Sequence, residues 1–347
     1  MPLANAQEIS ALPPDPTPKG MGEPSSPTLS KPRGILLEPV YGYRTMKDPR
    51  PSLREIYAEL IDCICVWRDR RRLLPALAFA FHTATFVAFF VYVFFFWTTR
   101  LSWSIAAVSV TLGVLNNTVW FHRYCTHRAF RFRSLLWARL FLWTSPPFFR
   151  EESYALAHHV HHGKSDVPGD PHGPHLGWIG NYFSFESQQK INTAISREEF
   201  QRQADKLKHI GFAMNTYEEF QRTAEFETLG HYATRMLFVN LLWGTLSYLY
   251  AGWPGVLAWY AALFAYDFIV RDFNYQGHGG FFARWLGSKP FNHPFYGFVA
   301  GEWHRNHHDH PASMRTGLRW WQLDLPYWFV RALHAVGIVN RYTTVEE

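Results

Sequence analysis

Cysteine is scarce: 347 residues contain three, Cys63, Cys65 and Cys125. That excludes a disulfide framework, and the Cys63–Cys65 pair reads as the buried face of a helix rather than a metal site. No haem-attachment or flavin-binding signature is present, and Gly277-His278-Gly279-Gly280 is too little to make a nucleotide loop. The continuous apolar core of a secretory signal is also missing from the N-terminus. Residues 1–34 instead hold eight prolines among Ser, Gly and Thr without apolar periodicity, the pattern of a disordered arm. Charge is absent from three long stretches: residues 73–99, 101–121 and 236–266 contain no Asp, Glu, Lys or Arg. Such runs exclude an ordinary soluble domain.

Hydrophobic residues make up 48% and aromatics 18% of the chain, with 30 Phe and 15 Trp, a composition that suits lipid and its interfaces. The mean hydropathy is nevertheless slightly negative, so a sizeable polar part must stand outside the bilayer. The first uncharged run has 27 residues, and a helix needs about 20 to span. The second follows after Arg100 alone, which predicts a tight hairpin. Gly252-Trp253-Pro254-Gly255 breaks the third run and predicts a turn between two further helices. Four crossings result. Residues 53–67 place Leu53, Ile56, Tyr57, Leu60, Ile61, Ile64 and Trp67 at helical spacing, so 35–72 reads as an amphipathic, interfacial segment and 73–347 as the membrane domain. Two Trp-rich stretches, 135–149 and 318–337, are expected along the membrane face.

The formal charge is +6. Its basic residues flank the apolar runs, Arg68, Arg70, Arg71 and Arg72 before the first, so they report topology and attraction to anionic lipid rather than a nucleic-acid partner. The asymmetry predicts both termini and residues 122–235 on the cytoplasmic side. The membrane would be a bacterial inner membrane, or the endoplasmic reticulum in a eukaryote.

Histidine is the excess, 18 in all. His122 and His127 bracket HRYCTH. His158, His161 and His162 lie in HHVHH, and His304, His307 and His308 in HRNHH. Asn274 and His278 lie in NYQGH. In a helix each residue turns about 100°, so i, i+3 and i+4 share a face and each HxxHH triad is expected to aim three imidazoles at one point. Asn274 and His278 share a face likewise. His122 and His127, five apart, diverge on a straight helix and converge only if it ends or distorts there. Nine imidazoles overfill one site of about four ligands and suit two. Imidazole takes iron, copper, nickel or zinc, and spacing does not choose among them.

The order HxxxxH, HxxHH, HxxHH, in the words HRYCTHRAF, HHVHHGKSDVPGDPH and GEWHRNHH followed by GLRWWQLDLPYW, resembles the three-box pattern of membrane fatty-acyl desaturases. These words look like those of the bacterial acyl-CoA and acyl-lipid enzymes that make a Δ9 double bond. The resemblance covers about residues 70–340. It implies an all-α integral membrane fold, four transmembrane helices with a cytoplasmic helical cap, two irons, dioxygen as co-substrate and a lipid acyl substrate. Two external electrons are implied, from a ferredoxin or small haem protein. The implied ligands and catalytic residues are His122, His127, His158, His161, His162, His278, His304, His307 and His308, with Asn274 reaching an iron through water. His159 stays outside that set, and His172 reads as structural or substrate-proximal. Asp166, Asp170, Glu302 and Asp309 are candidates to orient the imidazoles.

Several residues depart from the family pattern. Gly301-Glu302-Trp303-His304 lacks one glycine, Tyr154 replaces a usual Trp, and Asn116 and Asn117 sit where the acyl tunnel is expected. Related proteins with the same metal site hydroxylate alkyl chains or decarboxylate fatty acids to terminal alkenes. A membrane metal-binding or transport protein is the non-enzyme alternative; it would place ligands in mid-membrane, whereas these clusters lie at helix exits. Asp267, an acid in the fourth crossing, has Arg271 at i+4 for an ion pair. It also shares a helix face with Asn274 and His278, which suggests support of the acyl site.

Overall fold

Where charge is absent the backbone must satisfy itself, and helix does so residue by residue. The computed structural model describes residues 34–43, 48–146, 148–172, 177–183, 190–287 and 292–345; the expected disordered arm, but for its last residue, lies outside them. These residues belong to one unit, Arg33–Glu347.

Helix α1 spans Leu53–Ile64 and opens on a capping box between Ser52 and Glu55. It stops short of the expected Trp67 because Asp69 caps a new short turn, accepting from Arg71 N–H at 3.0 Å. Trp67 is left 96% exposed. Helix α2 (Leu73–Val91) runs into a π-helical turn, Tyr92–Phe96. The link that follows is as tight as expected: Thr98 caps α3 (Thr99–Thr111), and the Tyr92 hydroxyl bonds Thr98 O at 3.1 Å. α3 continues as a π-helical run, Leu112–Thr126. α4 spans Leu135–Thr144, α5 Glu151–Gly163, α6 Gly177–Phe183, α7 Arg197–Leu207 and α8 Tyr217–Thr223.

Among the described residues, three segments are long and apolar enough to cross a membrane: Arg70–Phe96, Thr99–Thr126 and Leu229–Trp285. The third contains α9 (Leu229–Gly277), which folds back on itself. Ala251 and Gly252 leave helical geometry, Gly252 at φ 63° and ψ −153°, a conformation only glycine adopts freely. Trp243 stacks on Trp259 with ring centroids 5.0 Å apart, and the Tyr260 hydroxyl donates to Asn240 at 3.2 Å. On a straight helix those pairs would be separated by roughly 24 and 30 Å. The reversal begins just before the expected Gly-Trp-Pro-Gly turn, and Pro254 opens the second limb, where its missing N–H costs little. That limb packs against α2 and α3.

The remaining helices are short: α10 Phe281–Trp285, α11 Pro294–Val299, α12 His304–Asp309 and α13 Leu325–Ala335. Among the described residues the fold departs from the all-α expectation by one two-stranded antiparallel sheet, β1 (Phe130–Phe132) with β2 (Val339–Tyr342). Phe130 and Phe132 are buried while Arg131 faces out, the two-residue alternation that a half-buried strand needs. The sheet ties the exit of α3 to the C-terminal segment. An aromatic core including Trp120, Phe121, Phe148, Phe149 and Tyr266 lies where α3, α5 and α9 meet.

Candidate metal centre

Four helix ends deliver the histidines. The π-run of α3 solves the five-residue spacing: His127 N–H donates to His122 O at 3.0 Å, closing an i to i+5 ring. α5 and α12 carry the two HxxHH words, and His278 caps the second limb of α9.

The imidazoles form two groups. His122, His127, His158, His162 and His307 bring their ligand atoms within 4.8 Å of one another, and so do His161, His278 and His308. His304 joins the second group, its Nε2 2.9 Å from that of His278. Each HxxHH triad therefore does not aim at one point, as the spacing suggested. It splits: His158 and His162 join the first group and His161 the second, while His304 and His308 join the second and His307 the first. Position i+4 lies about 40° to one side of i and i+3 about 60° to the other, so i+3 and i+4 point about 100° apart. Two adjacent centres read that difference.

The geometry fits metal ions. His122 Nε2 lies 2.9 Å from His158 Nε2 and 3.1 Å from both His307 Nε2 and His127 Nε2. His162 Nε2 lies 2.9 Å from His307 Nε2 and 3.1 Å from His158 Nε2. A neutral imidazole carries one proton. The Nδ1 of His122 faces Glu302 at 3.0 Å and holds it, which leaves a lone pair at Nε2. Lone pairs converging this closely repel unless a cation lies among them. With metal–imidazole bonds of about 2.0–2.1 Å, two ligand nitrogens at right angles sit roughly 2.9 Å apart. In the second group His308 Nε2 is buried with no hydrogen-bond partner among the described residues, another lone pair awaiting an ion. Burial, then the neighbouring imidazoles, holds His127, His158, His304 and His307 well below the usual histidine range, and pushes His162 to about 2 and His308 to about 3. All are neutral, as ligands must be.

Carboxylates behind the rings set their orientation. Glu302 faces His122 Nδ1 at 3.0 Å and His307 Nδ1 at 3.7 Å. Behind it stands Arg123, fully buried, 2.5 Å from Glu302 and also bonded to Ser313 O and Thr316. Burial raises the Glu302 carboxyl pKa, but Arg123 and His122 outweigh it and hold it below the usual range. Asp170 accepts from His161 Nδ1 at 2.7 Å and from the N–H groups of Asp166 and His172, each at 2.8 Å. Asp166 stands 3.5 Å from His278 Nδ1. Three of the four acids singled out in the sequence are thus in place. Asp309 is not: it lies exposed beside Arg305 on the outer face of α12.

The sequence reading missed the anchor of α5. Arg235 is fully buried and bonds both oxygens of Glu151, at 2.9 and 2.8 Å, and Glu227 at 2.9 Å. Glu152 accepts from Glu227 N–H, and Arg150 pairs with Glu225. This network clamps the first turn of α5 to the start of α9 and fixes the register of His158, His161 and His162. The signal was there: an Arg–Glu–Glu run opening a histidine helix, with an arginine beside an uncharged run, calls for pairing. Arg123, inside HRYCTH, was legible in the same way.

The family model described as fatty acid desaturase matches residues 101–336, more than half of the chain and every histidine of both groups. This chain belongs to the fatty acid desaturase family. Among curated proteins it is 26% identical over 266 residues to an acyl-CoA 5-desaturase of Anemone leveillei, covering 69% of this chain and 72% of that one. It is 27% identical over 294 residues to Delta-9 acyl-lipid desaturase 2 of Arabidopsis thaliana, covering 79% and 83%. It is 24% identical over 265 residues to a hex-5-enoyl-acyl-carrier-protein acetylenase of Moorena producens, covering 68% and 73%.

The other residues that the sequence singled out in this desaturase-family chain find places around the two groups. Asn274 is half-buried one turn before His278, whose N–H its carbonyl accepts at 3.3 Å. His159 turns away and bonds Thr126 O at 3.0 Å. His172 is buried with its ring 5.3 Å from His161. Asp267 and Arg271 form the i, i+4 ion pair, at 2.7 Å, and both line a cavity of about 460 Å³ with Leu53, Ile56, Phe79 and Phe264. Cys63 is buried on its helix.

Proposed function

We infer that this chain is an oxygen-dependent di-iron fatty-acyl desaturase that introduces a double bond into the acyl chain of a lipid or acyl thioester. The observation that carries the reading is the pair of neutral imidazole groups, five and four strong, in a member of this family. When bound, two irons would supply dioxygen activation and the removal of hydrogen from an unactivated methylene. The nine histidines would hold them, with Asn274 at the edge of the second. Glu302 keeps a proton on His122 Nδ1 and Asp170 keeps one on His161 Nδ1, so both rings turn their lone pairs inward. Phe121, Phe149 and Tyr154 pack together beside the first group, Tyr154 stacked on His158, and would keep water from it. The two electrons come from a separate ferredoxin or small haem protein.

The same reading gives four membrane crossings, the two limbs of α9 making the third and fourth. Both termini and residues 122–235 are cytoplasmic, residues 35–72 lie at the interface, and α4 and α13 lie along the membrane face. The reversal at Ala251–Gly252 and the placement of basic residues support it. A reporter fused after Glu347 should read as cytoplasmic; an extracytoplasmic signal would contradict the topology.

The activity is tested by mass-spectrometric profiling of lipids and hydrocarbons from cells expressing the chain, beside cells expressing His307→Ala. Acyl chains lighter by two hydrogens should appear only with the wild type. Alcohols or shortened terminal alkenes would assign the sister reactions instead, and an unchanged profile would contradict the reading.

A further inference from the structure

One turn before the first histidine group, the junction of α3, α5 and α9 is polar where its surroundings are aromatic. Asn116 and Asn117 lie on the π-run of α3, and both are buried. The Tyr154 hydroxyl, from α5, donates to Asn117 Oδ1 at 3.3 Å, and the Tyr266 hydroxyl, from the second limb of α9, donates to Asn116 Oδ1 at 3.3 Å. Both contacts are long against the 2.7–2.8 Å usual for a hydroxyl donor. The Asn116 Nδ2 is buried and has no partner among the described residues. A buried amide donor without an acceptor is costly, and such groups mark sites that await one.

The position gives that donor meaning. The i to i+5 register that brings His127 to His122 brings His122 to Asn117, so all three share one face of the run. On α5, Tyr154 precedes His158 by one turn and stacks on it, ring centroids 5.8 Å apart. The Asn117–Tyr154 contact thus repeats, one turn lower, the His122–His158 contact at the metal site. Phe121 lies 5.3 Å from the Tyr154 ring and Phe149 6.1 Å from Tyr266. The two amides and two phenols lie roughly 7 Å below the first group along the run. A bare methylene chain there would leave the Asn116 donor unsatisfied.

We propose that Asn116 is a specificity-determining residue that hydrogen-bonds an oxygen of the substrate, with Asn117, Tyr154 and Tyr266 positioning it, and that the substrate is an acyl chain bearing a carbonyl, hydroxyl or ether close to the reacting carbons. This rests on the desaturase reading and narrows its substrate class. Asn116 Nδ2 donates to that oxygen. The phenols, whose hydrogens already point at the amides, hold Asn116 and Asn117 in place. A pocket built to bond an oxygen discriminates against the chain that lacks it far more strongly than an apolar pocket discriminates by one methylene.

The test uses cells expressing the full chain and fed fatty acids of one length: saturated, or carrying a hydroxyl or keto group at successive positions near the carboxyl end. Products are read by mass spectrometry and iron per chain is measured for each variant. The wild type should convert at least one oxygenated acid about tenfold or more in preference to the saturated one. Asn116→Leu and Tyr154→Phe should each bring that ratio towards one while retaining the wild-type iron content. Equal conversion of all acids by the wild type would overturn the proposal while leaving the desaturase reading intact. So would a preference that neither variant moves, which would mean a structural cluster satisfied by buried water. An iron-loaded wild type that converts none of them overturns both.

Discussion

The two HxxHH words are identical in spacing and opposite in use. On α5 the i and i+4 histidines, His158 and His162, serve the five-member group and His161 the other; on α12 His304 and His308 serve the four-member group and His307 the five-member one. Each helix straddles both centres, so neither centre can move without the other. The remainder is unequal. The five-member group gains two imidazoles from one distorted helix, His122 and His127, while the four-member group gains only His278 from α9. Their supports differ too. Glu302 backs two rings of the first group and carries Arg123 on its far side. Asp170 backs His161 through hydrogen bonds from neutral N–H donors. The first group thus has a spare ligand and a neutralised support; the second has no spare.

That inequality is broken most directly by removing one ring from each side. His278→Ala should reduce bound iron to about one per chain and abolish turnover, because the four-member group falls to three. His127→Ala leaves four imidazoles in its group and should retain most of the second iron while activity falls. Equal iron loss in both variants, measured by elemental analysis, would contradict the inequality. The supports should matter less than the rings. Glu302→Gln and Asp170→Asn should each weaken metal retention about 10–100-fold, in different groups, so chelator-release kinetics should show a different slow phase lost in each. Loss of the same phase would mean the two carboxylates do not divide as the distances imply.

Asp267 offers a control away from both groups. Asp267→Asn breaks a buried pair with Arg271, costing about 3–5 kcal/mol, yet should leave iron at wild-type level. Removing the Arg271 charge as well should recover most of the stability in thermal inactivation assays. The smallest effect concerns Glu152, whose pKa burial raises from 4.5 to about 7. A carboxyl raised on folding favours the folded state while protonated. Its contribution is therefore fully present below about 4.5 and is lost as pH rises to about 7. Glu152→Gln should flatten that part of the stability profile; an unchanged slope would assign it to other groups.

Much of this arrangement was legible in sequence because ligand chemistry is local: a triad at i, i+3, i+4 commits three rings to one side of a helix wherever that helix goes. The hairpin at Gly252 and the ion pair of Asp267 with Arg271 were legible for the same reason. What the sequence withheld was relational. Nothing in HHVHH says that His161 parts from its neighbours, since that depends on a second centre some ångströms away. The five-residue gap from His122 to His127 announced a distortion, but not that a π-helical run would begin as early as Leu112. Asp309 looked equivalent to Asp170 in its distance from a histidine and faces solvent instead, because α12 is a short helix with one buried side. Glu151 and Arg235 are 84 residues apart, and only the packing of α5 on α9 joins them.

On this reading one chain holds two metal ions in unequal imidazole groups. The direct test is elemental analysis combined with Mössbauer spectroscopy on protein enriched with the iron-57 isotope from iron-replete cells. About two irons per chain are expected in two resolvable environments, with the second environment absent from His278→Ala. A single zinc without iron, or two irons whose spectra remain paired when His278 is removed, would contradict it.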